Sequence, residues 1–353
     1  MGNGAIDDLP ETLDHLHFMQ ADLLVIADGE REVSDFGLER ILQKLESSGT
    51  NIQCWYVPPS FSSLNALIED MRTVGPQAVI AFGNARTIDA AKYIMLKYSL
   101  ESGTQPEWIS VPTSPDADSV SSPFIFLDYD GKGEKFLGKI STPVAIIGDT
   151  AILARAPERQ LVAGIGDLLS RQTSIWDWKY ANRVRNEPIS EFGTIISDAS
   201  IGILLNKLRG LTLANMEAIT VLTKAIIIAG FLAGFADDLR SCYGSQHMFA
   251  QALDRLEPGK ALHGERVALG TLMMANLQGQ DWRAFRETLQ QYKLPTQSIG
   301  LGYKTSSVIK ALMQASNYPS GGTELGLFTI LGPGLTEEAA WSLAVKTGVL
   351  GAI

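Results

Sequence analysis

The chain has 353 residues, 45% of them hydrophobic and 19% charged, which is long for one hydrophobic core and suits two domains. Its 29 basic and 39 acidic residues leave a net charge of −10, which disfavours a nucleic-acid surface and offers no attraction to an anionic membrane. The two cysteines, Cys54 and Cys242, are too few for a disulfide framework and fit free thiols in a reducing compartment.

The first stretch, MGNGAIDDLPETL, is acidic and lacks the basic and apolar regions of a signal peptide. No run reaches the ~18 uninterrupted apolar residues of a membrane span, and AIIIAGFLAGFA at 225–236 reads as a buried helix. The expectation is a cytoplasmic protein without nucleic-acid or membrane partners.

From 21 to 150 the pattern alternates. ADLLVIAD is a short apolar run, DFGLERILQKLESSG an amphipathic helix closed by Gly49, and NIQCWYVPP a second strand. SLNALIEDMRTVG, QAVIAFG and TIDAAKYIMLKYSL repeat the alternation as helix, strand and helix. Such alternation predicts a parallel, doubly wound sheet, with ligands at the carboxyl ends of its strands.

The turn AFGNARTIDAAK, with Gly83, Asn84 and Ala85, is where a dinucleotide lies in such a sheet, because backbone amides at a helix N-terminus favour a pyrophosphate. Gly83 alone also fits an ordinary strand-to-helix turn. Asp28, after the first strand, is an acceptor for adenosine ribose hydroxyls or simply solvates a strand end. EWISVPTSPDADSVSSPF ends a strand at VPT and continues as a polar loop over the nucleotide position; Asp116 within it fits a solvated acidic loop. FIFLDYDGKGEKFLGKISTPVAIIGDT reads as a hairpin around DGKG and a last strand.

After Asp149 helical periodicity dominates, with long apolar helices through 200–235 and 265–275 and a tail from 304 to 350 of short helices around the FTILGPG turn. The boundary is placed at residue 150: an α/β Rossmann-like domain over 1–150 and an all-α domain over 151–353. No internal repeat is apparent.

Two of the four histidines, His247 and His263, stand in apolar helical patterns separated by the breaker Pro258-Gly259, so the imidazoles come from separate helices and are placed to face inward on a common point. Two neutral imidazoles, one carboxylate and an open position make a catalytic divalent-metal site. The best carboxylate is Asp167 in AGIGDLLSRQTSIWDWKYA, where a glycine-rich turn brings an acid to the start of an apolar helix. An N-cap is the competing reading of Asp167.

GIGD with a following DW, GSQH, and ALHGERVALGTL together resemble the metal-dependent (iron-containing) alcohol dehydrogenase and dehydroquinate synthase superfamily, most closely its glycerol-1-phosphate dehydrogenase-like branch. The resemblance implies the dehydroquinate synthase-like fold over nearly the whole chain. It also implies metal ligation by Asp167, His247 and His263, with zinc the first choice and nickel or iron acceptable to the same ligands. Cofactor contacts to NAD or NADP are implied at Gly83, Asn84, Ala85, Asp89, Thr113, Ser114 and Ser122, and a substrate contact at Asp118.

The chain departs from the branch around this region. Asn84-Ala85 stand where the loop usually continues with glycines, Ala117 replaces a histidine, and Gln251 stands where a second histidine reaches the substrate. A neutral amide at 251 keeps hydrogen bonding but carries no positive charge.

The resemblance thus implies a nicotinamide-linked dehydrogenase interconverting a small polyol phosphate and its ketone, glycerol 1-phosphate and dihydroxyacetone phosphate being the first pair, with Asp118 and Gln251 at the substrate. A homo-oligomer is expected. The alternatives are a sugar-phosphate cyclase of the dehydroquinate synthase type, which recycles its nicotinamide, and a metal-binding relative that has lost nucleotide affinity.

Overall fold

The computed structural model describes residues 1–28, 31–47, 50–57, 61–129, 134–208, 211–236, 238–317 and 327–351. The strands are β1 (Asp22–Ala27), β2 (Asn51–Tyr56), β3 (Ala78–Gly83), β4 (Glu107–Pro112), β5 (Phe124–Tyr129), β6 (Glu134–Lys139) and β7 (Ala145–Ile146). The helices are α1 (Leu9–His15), α2 (Arg31–Ser47), α3 (Phe61–Val74), α4 (Ala85–Ser102), α5 (Thr150–Leu153), α6 (Glu158–Arg185), α7 (Glu191–Leu208), α8 (Met216–Ala236), α9 (Ser245–Leu256), α10 (His263–Leu277), α11 (Trp282–Gln291), α12 (Thr305–Gln314) and α13 (Glu337–Lys346).

The chain divides into two compact units, one of Met1–Asp130, Phe136–Leu161 and Lys207–Phe231, the other of Gly131–Lys135, Val162–Asn206 and Leu232–Ile353. This differs from a single cut at residue 150, since residues 151–161 and 207–231 group with the α/β part. Packing explains the second exchange. Ser121 Oγ donates to Ile227 O at 2.8 Å, and Gly230 lies so close to Asp118 O and Ser121 Oγ that no side chain fits there.

In the first unit five parallel strands run in the order β2-β1-β3-β4-β7, as the alternation predicts. Leu23 to Ala27 of β1 and all of β3 are buried, the continuous burial of a sheet covered on both faces. Val25 pairs with Cys54 on one side and Ile80 on the other. Leu9, Leu13, Leu38, Ile41, Ile109 and Val111 fill the core on this part of the sheet. Strands β5 and β6 form a separate two-stranded sheet. The DGKG turn between them and the helix-closing Gly49 lie outside the described residues.

Apart from the start of β6, the regular elements of the second unit are helices among its described residues. Helix α9 packs against α10 and α12, and Gly270 of α10 permits the first of these contacts, because a Cβ there would stand 2.7 Å from Gln246 O. After α9 the chain turns through Gly259 with φ of 73°, a left-handed conformation that suits glycine, and α10 begins at His263. Helix α8 is long and apolar enough to cross a membrane by length and composition, yet 56% of its most apolar window is buried in the fold.

Candidate metal centre and nucleotide loop

Asp167 lies inside α6, ten residues into a 28-residue helix, and neither caps nor starts it. The glycines before it, read from sequence as a turn, are helical. Their purpose is visible in the packing. A Cβ on Gly166 would meet Gly264 O, and one on Gly264 would collide with Ala163 O, so backbone meets backbone where α6 passes the first turn of α10. This contact brings Asp167 beside His263, the first residue of α10. The same turn is fixed by Glu265, whose carboxylate accepts from Leu262 N at 2.8 Å.

Asp167 Oδ1 stands 3.4 Å from His247 Nε2 and 3.6 Å from His263 Nε2, and the three ligand atoms lie within 4.8 Å of one another. These separations are long for good hydrogen bonds. They match the edge of a tetrahedron whose centre is ~2.0–2.2 Å from each ligand atom, about 3.3–3.6 Å, the size set by a divalent ion with N and O ligands. The residues therefore fit a metal with one position open. Burial raises the proton affinity of Asp167, but the two imidazoles more than offset this and hold its carboxyl well below the usual carboxylate range.

His247 and Asp167 are buried, with side chains 9% and 7% exposed. His263 is not the inward-facing residue expected, its side chain being 42% exposed, because it begins a helix at the unit's surface. The imidazole rings lie 5.1 Å apart. The amide of Gln246 sits 3.1 Å from His247 Nδ1, which steadies the ring with Nε2 toward Asp167.

Asp177, nearly three turns further along α6, accepts from Ser245 N and Oγ at 2.8 and 2.6 Å and from Ile330 N at 2.9 Å. It anchors the start of α9, and thereby His247, to α6. Gln251 lies one turn beyond His247 on α9, partly buried, and accepts from the Tyr243 hydroxyl at 2.8 Å. Neither Asp177 nor Tyr243 was singled out by sequence as a site residue; the DW motif named the former only as part of a resemblance.

In the first unit the β3–α4 turn carries the expected nucleotide residues. Asn84 caps α4, its Oδ1 accepting from Thr87 N at 3.1 Å while its Nδ2 donates to Asp28 Oδ2 at 3.0 Å. The Asn84 side chain, standing where the loop usually continues with glycine, is thus turned to the cap and to Asp28. Asp116 is more than a solvated loop acid, for its Oδ1 accepts from Ala85 N at 3.3 Å. It occupies one of the amides that a phosphate would use.

Thr113 N donates to Gly83 O at 2.9 Å, which sets β4 beside the turn. Ser114 Oγ is buried without a hydrogen-bond partner among the described residues. Ser122 Oγ accepts from Phe124 N at 3.2 Å.

Asp89 is buried within α4 and fully engaged. Lys92 Nζ donates to Oδ1 at 2.9 Å, and Ser119 Oγ and Phe126 N donate to Oδ2 at 2.7 and 3.4 Å. Lys92 also donates to Phe124 O at 2.9 Å. This pair holds the 117–126 segment against α4, so the structure places Asp89 behind the loop instead of at its surface. Asp118 starts the short turn Asp118–Val120, and its carbonyl accepts from Ser121 N and Ser122 N.

The iron-containing alcohol dehydrogenase family model matches residues 1–157. Glycerol-1-phosphate dehydrogenase [NAD(P)+] of Hyperthermus butylicus is 35% identical over 99% of this chain and 97% of its own length, and that of Metallosphaera sedula 31% identical over 99% and 95%. Among solved structures, a probable glycerol dehydrogenase from Sinorhizobium meliloti superimposes with a TM-score of 0.77 at 22% identity, covering 98% of this chain and 94% of that one. The glycerol dehydrogenase of Schizosaccharomyces pombe gives 0.77 at 20% identity, covering 98% and 88%. The structural likeness carries the fold, a Rossmann-like unit followed by a helical one. With sequence relatives at 31–35% identity aligned end to end, this chain belongs to the iron-containing alcohol dehydrogenase family, in its glycerol-1-phosphate dehydrogenase branch.

Proposed function

We propose that the protein is a metal-dependent, nicotinamide-linked dehydrogenase that interconverts glycerol 1-phosphate and dihydroxyacetone phosphate. The observation that carries this reading is the convergence of Asp167, His247 and His263, with the carboxylate oxygen at the edge length of a tetrahedral site from each imidazole and all three ligand atoms within 4.8 Å of one another. A divalent ion bound there supplies Lewis-acid stabilisation of the substrate oxygen at the reacting carbon, while the nicotinamide supplies or accepts the hydride. Asp177 and Gln246 hold His247, the Gly166–Gly264 contact holds His263, and Gln251 beside them offers its amide to the substrate. Zinc, nickel and iron all suit this donor set, and zinc is the first to try.

The dinucleotide is read onto the β3–α4 turn, where Gly83, Asn84 and Ala85 open α4, with Thr113, Ser114 and Ser122 as further contacts, and a substrate contact is assigned to Asp118. Asp28, braced by Asn84, favours NAD over NADP, because a carboxylate accepts from ribose hydroxyls and repels a 2′-phosphate. Exposed Phe192, Ile195 and Phe235 on the helical unit, the two phenylalanine rings 6.2 Å apart, fit a contact with a second copy of the chain.

The test is dihydroxyacetone phosphate reduction by metal-loaded protein with NADH and with NADPH. Stoichiometric oxidation of the nicotinamide without phosphate release is expected. A sugar-phosphate cyclase would release phosphate from its own substrate with no net change in nicotinamide, and that outcome would replace the reading. Absence of nucleotide binding by the metal-loaded protein would leave only the non-catalytic relative.

A further inference from the structure

Tyr243 precedes α9 by two residues and is 2% exposed. Its ring stacks on the imidazole of His247, centroids 5.2 Å apart and planes at 29°. Its backbone is held by a hydrogen bond from Tyr243 N to Leu239 O at 2.7 Å. The turn that contains Leu239 is locked in its own right, since Arg240 donates to Phe328 O at 2.6 Å and pairs with Glu187. The Tyr243 hydroxyl therefore sits at a fixed point, and there it donates to Gln251 Oε1 at 2.8 Å.

In this arrangement Oε1 faces the hydroxyl, and the other end of the amide remains for a ligand. A glutamine amide has one acceptor end and one donor end. With Oε1 taken by Tyr243, the NH2 group is left, and no described residue accepts from it. A phosphate or ketone oxygen only accepts, so an amide free to rotate would present its carbonyl half the time and oppose such a group.

We infer that Tyr243 is a specificity-determining positioning residue, which holds Gln251 as a donor toward a phosphate oxygen of the substrate. This rests on the dehydrogenase reading and deepens it. The donor offsets part of what is lost in having no imidazolium at 251, and it favours a phosphorylated ketone over the corresponding unphosphorylated one. Tyr243 acts through Gln251 and touches no reacting atom.

The test compares wild type, Tyr243→Phe and Gln251→Glu, all metal-loaded, on dihydroxyacetone phosphate and dihydroxyacetone, with inhibition by inorganic phosphate as a readout independent of turnover. Tyr243→Phe keeps the ring on His247 and removes only the hydroxyl. The expected result is unchanged metal content and a KM for the phosphorylated ketone raised about five- to twentyfold, the weight of one oriented hydrogen bond. The fall in kcat should be smaller, phosphate inhibition should weaken in parallel, and dihydroxyacetone should be little affected. Gln251→Glu retains an acceptor for Tyr243 but presents no donor, and should raise the same KM further.

An unchanged KM and phosphate inhibition constant in Tyr243→Phe would overturn the inference while leaving the dehydrogenase reading intact. Loss of metal or a collapse of kcat in that variant would overturn it in favour of simple bracing of His247. Wild type that neither reduces dihydroxyacetone phosphate nor is inhibited by phosphate would bring down the reading and the inference together.

Discussion

Gly264, the residue after His263, lies directly against Ala163 of α6, with no room for a Cβ between its Cα and the Ala163 carbonyl. The two helices meet there at backbone distance, and the meeting fixes how far His263 stands from Asp167. A methyl group at 264 must push α10 away from α6. Gly264→Ala should therefore destabilise the protein by about 1–3 kcal/mol through overpacking and lower its metal affinity at least about tenfold, as loss of a ligand-orienting contact does. Thermal unfolding and metal titration check the two effects separately.

Removing the metal should lower the unfolding temperature, because an ion that binds only the folded chain stabilises it by mass action. Excess chelator is expected to shift wild type downward and to leave Asp167→Ala, His247→Ala and His263→Ala where they already are. Elemental analysis of the purified variants gives the direct check. Full metal content in all three would eliminate the triad.

Asp116 holds an amide at the start of α4 that a pyrophosphate would otherwise use, and its charge opposes that of the phosphates. Asp116→Asn is expected to tighten NAD binding about two- to fivefold, the weight of one charge near a helix terminus. The gain should shrink in high salt, where exposed charges are screened. Titration calorimetry at two ionic strengths measures both. A separate loss of about 1 kcal/mol in stability is expected for Asn84→Ala, which removes the cap on the same helix.

Burial pushes the Asp89 carboxyl up, and the Lys92 ammonium beside it pulls the other way. Asp89→Ala would leave Lys92 charged, 0% exposed and without its carboxylate, at a cost of about 3–5 kcal/mol. The double variant Asp89→Ala, Lys92→Met should recover much of that loss. Denaturant unfolding of the single and double variants provides the comparison.

Burial also raises the Asp177 carboxyl above its ordinary value of 3.8, against the opposing hydrogen bonds of Ser245 and Ile330. The folded chain then keeps this proton to higher pH than the unfolded chain does. Across the interval between 3.8 and the raised value, the native state binds more protons, so this group makes stability fall as pH rises. Asp177→Asn should remove that component of the pH profile. At neutral pH it should also cost about 1–3 kcal/mol, because the amide NH2 meets the Ile330 donor. Unfolding free energies of both proteins over the acidic range test the slope.

Local pattern determined much of this protein. The alternation of apolar runs and amphipathic helices from 21 to 150 is enough to specify a parallel sheet, because side-chain periodicity and burial are properties of neighbouring residues. His247 and His263 could be paired from sequence since Pro258 and Gly259 between them force a break, and the breaker acts on its own backbone. What could not be read this way depends on residues far apart in the chain. Gly164 and Gly166 look like a turn because glycine weakens a helix, yet both lie inside α6; at Gly166 the close approach of the Gly264 carbonyl makes a missing Cβ worth more than helix propensity. Asp89 received a cofactor role only from resemblance, and its sequence gives no sign that Lys92, Ser119 and Phe126 donate to its oxygens. Tyr243 carried no motif, and its importance comes from a hydroxyl that meets Gln251 after the α9 turn is folded. Tertiary structure decides such cases because a polar group takes whichever partner packing puts within reach, and that choice is absent from the order of residues.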